Sequence, residues 1–416
     1  MTHQKFLFRY TNCQCIAALA GLFESARMFT GAINVVFLLH RGVNLKQLAT
    51  LQFIFTATAF VMEIPTGVVS DKNGKKLAAI LGCLITSLFY LLCLAAPIMS
   101  WLIIAEIVLA IGLSFTSGSF EAWIVSATRL EYPNNHLKIN HLGHLRKEIA
   151  GLGNMISGPL GAFLAFKFGY TVVYLISFLS ILAVAVCLFF RDELKNQHKA
   201  TTKNFNFDDL KKSRLSKGFF LYTGIAILLS AVYQPMYHFW QPLFEKALSS
   251  SNYVPNFLQN HFATLGLTFF CSNGVVFICN NYIKRKMIFY SNPFLIAIGI
   301  TILSAIAFTI LGQNNSKSII FLLFVFSVLH GLLSSLFTIA DDQFFKIIRQ
   351  KYFSSIFSIV NVLQRLTVLN ILWLIKKIIT VENIENMFML CSISMIIMGI
   401  LFFYWKNVHD LKVHKH

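Results

Sequence analysis

Glu24 and Arg27 stand inside an apolar run covering 12–39, and a charge in such a run is costly enough to be kept only for a partner or for chemistry. Counted from the start of the run, Glu24 lies roughly 18 Å along a helix that rises about 1.5 Å per residue, near the middle of a span. At about 100° per residue, Arg27, Gly31 and Asn34 fall within about 80° of it, and Ala17 and Ala20 flank the same stripe. Two readings stay open. Either the pair neutralises itself and serves packing only, or Glu24 is a protonatable carboxylate tuned by burial and by Arg27.

A second polar group occurs in the run 218–241, where Tyr233, Gln234, Tyr237, His238 and Gln241 surround Pro235. This polar-aromatic face could line a binding cavity, while His238, near the end of the run, has the alternative reading of a structural or solvated histidine. Arg365, about twelve residues into the run 353–375, needs an acid or carbonyl that the sequence does not identify. Glu106 lies near the start of the run 101–125 and is expected to be solvated. Asp341 and Asp342 close the run 318–341. A membrane enzyme acting on prenyl phosphates would hold Mg²⁺ with an acidic motif, but Asp341-Asp342-Gln343-Phe344-Phe345 lacks a third acid and has no second cluster to accompany it. No phosphate-cradling glycine loop, nucleophile elbow or metal-ligand spacing occurs elsewhere, so no enzymatic activity, cofactor or metal is expected. Of the 8 cysteines only Cys13 and Cys15 are close, and no CxxC occurs, so neither a disulfide framework nor a zinc site is expected.

The apolar runs themselves must position these residues. Of 416 residues 56% are apolar and only 12% charged, and the mean hydropathy is +0.66. A soluble domain carries about 25% charged residues, which excludes a large soluble enzyme here. Runs recur at 12–39, 47–69, 77–97, 101–125, 147–167, 171–190, 218–241, 258–281, 292–312, 318–341, 353–375 and 383–404. About 20 apolar residues span the hydrocarbon core as a helix, so the expected fold is an all-α, multi-pass membrane protein of twelve transmembrane helices. The first run is too long for a cleaved leader and is expected to remain as a span. Lys and Arg crowd into alternate loops, roughly 26 against 7, which places both termini in the cytoplasm. The net charge of +18 then reflects basic loops facing anionic lipid rather than a nucleic-acid partner. Trp101, Trp123, Trp240, Trp373 and Trp405 all fall near run ends, where the ring is buried and the N–H stays wet.

The longest loop, 191–217, divides the chain into an N-terminal six-helix bundle, 1–190, and a C-terminal one, 218–416, with a short cytoplasmic tail. Within it, Asn206 to Leu210 and the lysines that follow read either as a short surface helix or as solvated linker. Two six-helix bundles joined by a basic linker is a layout of transporters built from repeats, although self-similarity between the halves is weak.

The stretch Glu63-Ile64-Pro65-Thr66-Gly67-Val68-Val69-Ser70-Asp71-Lys72-Asn73-Gly74-Lys75-Lys76 closes the second run. A tight turn between membrane helices needs a residue tolerant of positive φ, which Gly74 supplies. Gly67 would permit close approach of a neighbouring helix. Asp71 is a fixed charge suited to a helix N-terminus or a basic partner, and the lysines suit lipid phosphates or an acid on another helix.

Gly67 through Lys76 fit the pattern G-x-x-x-D-(R/K)-x-G-(R/K)-(R/K), and in this the sequence resembles the major facilitator superfamily. Glu63-Ile64-Pro65-Thr66-Gly67 looks like a bacterial, drug-antiporter-like branch. So do Ser117-Gly118-Ser119-Phe120-Glu121-Ala122, Tyr233-Gln234-Pro235, Trp240-Gln241-Pro242 and Ser354 to Ser358 ahead of Arg365. The corresponding loop of the second half, Asn280 to Lys286, lacks the glycine and aspartate. Ser126 stands where relatives often carry an acid, and Asn154 replaces a glycine ahead of Gly158-Pro159-Leu160-Gly161.

The resemblance implies two bundles that rock around a midplane site, with the first, fourth, seventh and tenth helices lining the cavity. It implies that Asp71 meets the N-terminus of the eleventh helix, that the nearby lysines pair with Glu121, and that Asp341 is the second-half analogue of Glu121. Gly67, Asp71, Gly74, Lys75, Lys76, Glu121 and Asp341 are thus expected to gate, and Asn34, Tyr233, Gln234, Tyr237, His238 and Arg365 to face substrate. The expected function is proton-coupled efflux of a drug-like compound or siderophore across the cytoplasmic membrane by a monomer. Its partners would be a small-molecule substrate, protons and membrane lipid. Proton-coupled uptake, or a membrane sensor or scaffold that does not transport, are the alternatives.

Overall fold

Inside lipid every backbone N–H and C=O must find a partner within the protein, which leaves the α-helix as the economical way for these runs to fold. The computed structural model describes residues 11–95, 98–132, 136–193, 215–250, 254–286, 292–313, 318–347 and 353–413. Among these residues are thirteen α-helices, one 3-10 turn and no strand. The helices are α1 Asn12–Arg27, α2 Asn34–His40, α3 Leu45–Asn73, α4 Lys75–Ala95, α5 Met99–Glu131, α6 His136–Phe168 and α7 Tyr170–Phe189. They continue as α8 Leu215–Ser250, α9 His261–Lys286, α10 Pro293–Gly312, α11 Ile319–Ile347, α12 Phe353–Ile378 and α13 Ile384–Val413. Ten of them, α3 to α11 and α13, are long and apolar enough to cross a membrane.

The first expected span, 12–39, is corrected by the structure. It is two helices separated by an irregular stretch at 28–33. Thr30 and Gly31 within this stretch and Asn34 just after it are weak helix formers, and the backbone groups released around the break are taken up by side chains. Thr30 Oγ1 and Tyr90 Oη both donate to the Arg27 carbonyl, at 3.2 and 3.3 Å. Gln241 accepts from the N–H groups of Val35 and Val36 and donates to the Gly31 carbonyl.

The residues group into two compact units, one of Met1–Thr30, Thr58–Ser157 and Phe168–Ala200, the other of Gly31–Ala57, Gly158–Lys167 and Thr201–His416. Residues 31–57 and 158–167, expected with the N-terminal bundle, therefore pack within the second unit. Asn206 to Leu210 lie outside the described residues.

Because lipid tails are as apolar as leucine, close packing rather than transfer from water holds such helices together. In the first unit Gly82 on α4 lies against Thr116 and the Gly112 carbonyl of α5, and Gly153 on α6 lies against Ser25 of α1. A Cβ at either position would collide. In the second unit Gly312 on α10 faces Met389 of α13, and Gly331 on α11 faces Val275 of α9. Trp405 packs on Phe294, Phe402 and Tyr222. Trp123, Trp240 and Trp405 are buried in the protein, Trp240 against Phe244 and Phe326, whereas Trp101 and Trp373 are exposed.

Candidate functional site

In the first unit α1, α5 and α6 bring together Glu24, Glu121 and Arg146. Arg146 donates to Glu24 Oε1 from Nη2 at 2.6 Å and from Nε at 2.9 Å, and to Glu121 Oε1 from Nη1 at 3.3 Å. The side chains of Arg146 and Glu24 are 18% and 30% exposed, that of Glu121 69%. One guanidinium thus serves two carboxylates, and the three charges sum to one negative. Glu24 lies in the last turn of α1, where the helix dipole disfavours an anion by about 0.3–1 kcal/mol, so a cation from a neighbouring helix is needed.

This corrects the expected Glu24–Arg27 pair. Arg27 completes the C-terminal turn of α1, with its guanidinium carbon 5.7 Å from the Phe23 ring centroid. The continuous stripe from Glu24 to Asn34 is also absent, because 28–33 are not helical and Asn34 begins α2. Arg146 was missed because it falls just before the run 147–167, although α6 starts at His136. Its spacing with Ile149 and Gly153 was the available signal. All three share one face of α6, and Gly21 of α1 meets the Arg146 carbonyl and Ile149 on that face.

The motif between α3 and α4 is arranged differently from expectation. Gly74 has φ +105° and makes the turn. A Cβ on Gly67 would meet nothing within 4 Å among the described residues. Asp71 and Lys72 are exposed. Lys75 donates its backbone N–H to Glu193 Oε1 at 2.5 Å and its Nζ to the Ala122 carbonyl at 3.3 Å. Lys76 Nζ lies 5.4 Å from the Phe189 ring centroid. Arg146, not either lysine, is therefore the cation on Glu121. Glu106, expected to be solvated, is buried at 4% exposure on α5.

In the second unit α8 presents Tyr233 and Tyr237 with their rings stacked, centroids 5.9 Å apart. Tyr233 Oη is hydrogen-bonded to His330 Nε2 of α11 at 2.9 Å, and Phe337 packs edge-on against the Tyr233 ring. Tyr237 is exposed, His238 half-buried against it, and Gln234 half-buried. His330 was missed, although an ionisable residue inside the run 318–341 met the same test as Glu24. Gln364 of α12 donates to Ser230 Oγ and the Ala226 carbonyl of α8, and the adjacent Arg365 is half-buried. Asp341 accepts from Tyr222 Oη at 2.8 Å, and the Tyr222 ring stacks on Phe344. Asp342 accepts from Gln343 Nε2.

Such an arrangement can hold and exchange charge inside an apolar unit and can offer hydroxyl, imidazole and ring faces to a solute. Solved structures share the fold. A POT family transporter in complex with 5-aminolevulinic acid matches with a TM-score of 0.72 at 12% identity, over 97% of this chain and 98% of that one. Another POT family transporter, in complex with a thioalcohol-conjugated peptide, matches with a TM-score of 0.71 at 12% identity, over 95% and 96%. The nucleoside transporter NupG matches with a TM-score of 0.70 at 10% identity, over 95% and 100%. No protein with a curated description matches the sequence. The family model of the Major Facilitator Superfamily matches residues 15–369, and the chain belongs to that superfamily of multi-pass membrane transporters.

Proposed function

We propose that the chain exports a small organic solute, drug-like or siderophore-like, across the cytoplasmic membrane in exchange for protons, by alternating access and without chemical conversion of the solute. In this reading α1 and α2 together make one crossing and α12 another, giving twelve with both termini in the cytoplasm, as the basic loops favour. The observation that carries the proposal is Glu24 held by Arg146 at 2.6 Å. Protonating Glu24 removes one of the two negative charges on Arg146 and leaves the guanidinium with Glu121 alone. A conformational change that parts α1 from α6 would do the converse and free Glu24 to take a proton. Asp71, Gly74 and the lysines that follow are assigned to the gate, and Tyr233, Tyr237, His238 and His330 to the solute. The neighbours crystallised with 5-aminolevulinic acid and a conjugated peptide favour a solute of that modest size.

The test uses inverted membrane vesicles with an imposed acid-inside gradient, read by a pH-sensitive dye. A panel of a fluoroquinolone, ethidium and a catecholate siderophore is added in turn. Collapse of the gradient by one compound in wild-type vesicles, absent in Glu24→Gln, is expected. If no compound moves protons in wild type while the same compounds bind the purified protein, the sensor reading replaces the transporter reading.

A further inference from the structure

At one end of the second unit three side chains from distant parts of the sequence meet. His40 ends α2, Glu245 lies near the end of α8, and His261 opens α9. One ligand atom of each lies within 4.8 Å of the other two. The two imidazoles are edge to face, with centroids 5.7 Å apart and planes at 85°. The Phe262 ring centroid lies 4.1 Å from that of His261 and holds that imidazole. His261 Nε2 is buried and has no hydrogen-bond partner among the described residues, a condition that costs free energy unless something fills it. Lys246, beside Glu245 in sequence, does not fill it, because its ammonium binds Glu385 Oε2 at 2.7 Å and the Glu382 carbonyl at 3.1 Å.

We propose that His40, Glu245 and His261 bind one divalent transition-metal ion of the zinc class, with water as fourth ligand. Two imidazoles and one carboxylate suit zinc, whereas magnesium and calcium prefer oxygen ligands alone. Tetrahedral donors about 2.1 Å from zinc lie about 3.4 Å from one another. The three atoms therefore close by no more than roughly 1.4 Å per pair, which side-chain rotation supplies, since His40 is exposed. The site is wet on the His40 side and packed on the His261 side, so an ion can enter without a channel. Bound metal would tie α2 to the α8–α9 turn. The consequence for transport rests on the alternating-access reading, in which α2 belongs to the N-terminal six crossings and α8 and α9 to the C-terminal six. A clamp there slows transport.

The test uses the full-length purified protein in detergent, with Co²⁺ as a visible-absorbing probe and Zn²⁺ to displace it. The chain has 12 histidines, so His40→Gln, Glu245→Gln and His261→Gln are compared with wild type rather than wild type being read alone. The expected result is a tetrahedral Co²⁺ spectrum saturating at one ion per chain, abolished by Zn²⁺, with affinity at least about tenfold weaker in each variant. No such spectrum in wild type, or an undiminished one in His40→Gln, overturns the site. His40→Gln decides even if the His261 change impairs folding, because it alters an exposed side chain; an unchanged melting temperature checks this. Added Zn²⁺ should slow solute movement in wild-type vesicles and not in His40→Gln. Binding without that inhibition keeps the metal site and refutes only the clamp.

Discussion

Removing Arg146 should cost more than removing either carboxylate it holds. Arg146→Leu leaves Glu24 and Glu121, which share that guanidinium at 2.6 and 3.3 Å, without a cation between them. Deleting one partner of a fully buried pair costs about 3–5 kcal/mol, and the partial exposure of both carboxylates brings the expected loss to about 2–3 kcal/mol. Glu24→Gln is milder, because the amide oxygen still accepts from Arg146 and Arg146 keeps Glu121. An ion pair becomes a hydrogen bond from the charged guanidinium to a neutral amide oxygen, which stays charge-assisted but loses the attraction between opposite charges, a loss of about 1 kcal/mol. The double variant lacks the uncompensated charge at Glu24, so it should recover about 1 kcal/mol relative to Arg146→Leu. Thermal unfolding in one fixed detergent, read by tryptophan fluorescence, resolves these differences. At about 2–4 °C per kcal/mol for a unit of this size, Arg146→Leu should melt roughly 4–12 °C lower and Glu24→Gln roughly 2–4 °C lower. Equal losses in the two single variants, or a double variant that simply adds them, would refute the shared-cation reasoning.

The same Glu24→Gln protein should retain solute exchange between vesicle compartments at equal pH but lose accumulation driven by a pH gradient; full accumulation eliminates Glu24 as the coupling group. Gln241→Leu should destabilise the protein by about 3 kcal/mol or more, because it orphans two N–H groups and one carbonyl at about 1 kcal/mol or more each. Its melting temperature tests this, and a loss no larger than that of an ordinary core substitution counts against the role given to Gln241. Reporter fusions at residues 200 and 250 should report opposite sides of the membrane, and the same side for both overturns the twelve-crossing topology.

Much of the helical layout is legible in the runs themselves, because about 20 apolar residues in lipid have few alternatives to a helix. The turn at Gly74 is legible for a similar reason, since a backbone of φ +105° admits little else. The partner of Glu24 is not legible from helix 1. A nearby cation at Arg27 is the simpler guess, and only the packing of α1 on α6 shows that Arg146 reaches the carboxylate first. His330 obeys the rule that singled out Glu24 and could have been found by it. The cluster at His40, Glu245 and His261 has no local spacing to betray it, as three separate elements supply its members. Gly67 runs the other way: its place in a motif implied a close helix approach, and among the described residues no atom lies within 4 Å of a Cβ built there.

The break at 28–33 shows how one local weakness becomes an architectural feature. Gly31 and Asn34 continue the stripe of Glu24 and Arg27 only if the helix continues, yet the weak helix propensities of Thr30, Gly31 and Asn34, each costing several tenths of a kcal/mol or more relative to alanine, make continuation the less favourable choice. A break in a membrane span is tolerated only where the released backbone groups find partners in the protein. Gln241 meets that need at 2% exposure, with bonds of 3.1, 3.2 and 3.0 Å to Val35, Val36 and Gly31. Those bonds and the buried Val35, Val36, Phe37 and Leu38 tie α2 into the second unit, while α1 stays with α5 and α6 in the first. The boundary between the units falls between Thr30 and Gly31, inside the break. Within the first unit α1 carries Glu24 to Arg146, and within the second α2 carries His40 to Glu245 and His261, so each candidate site is held by its own helix.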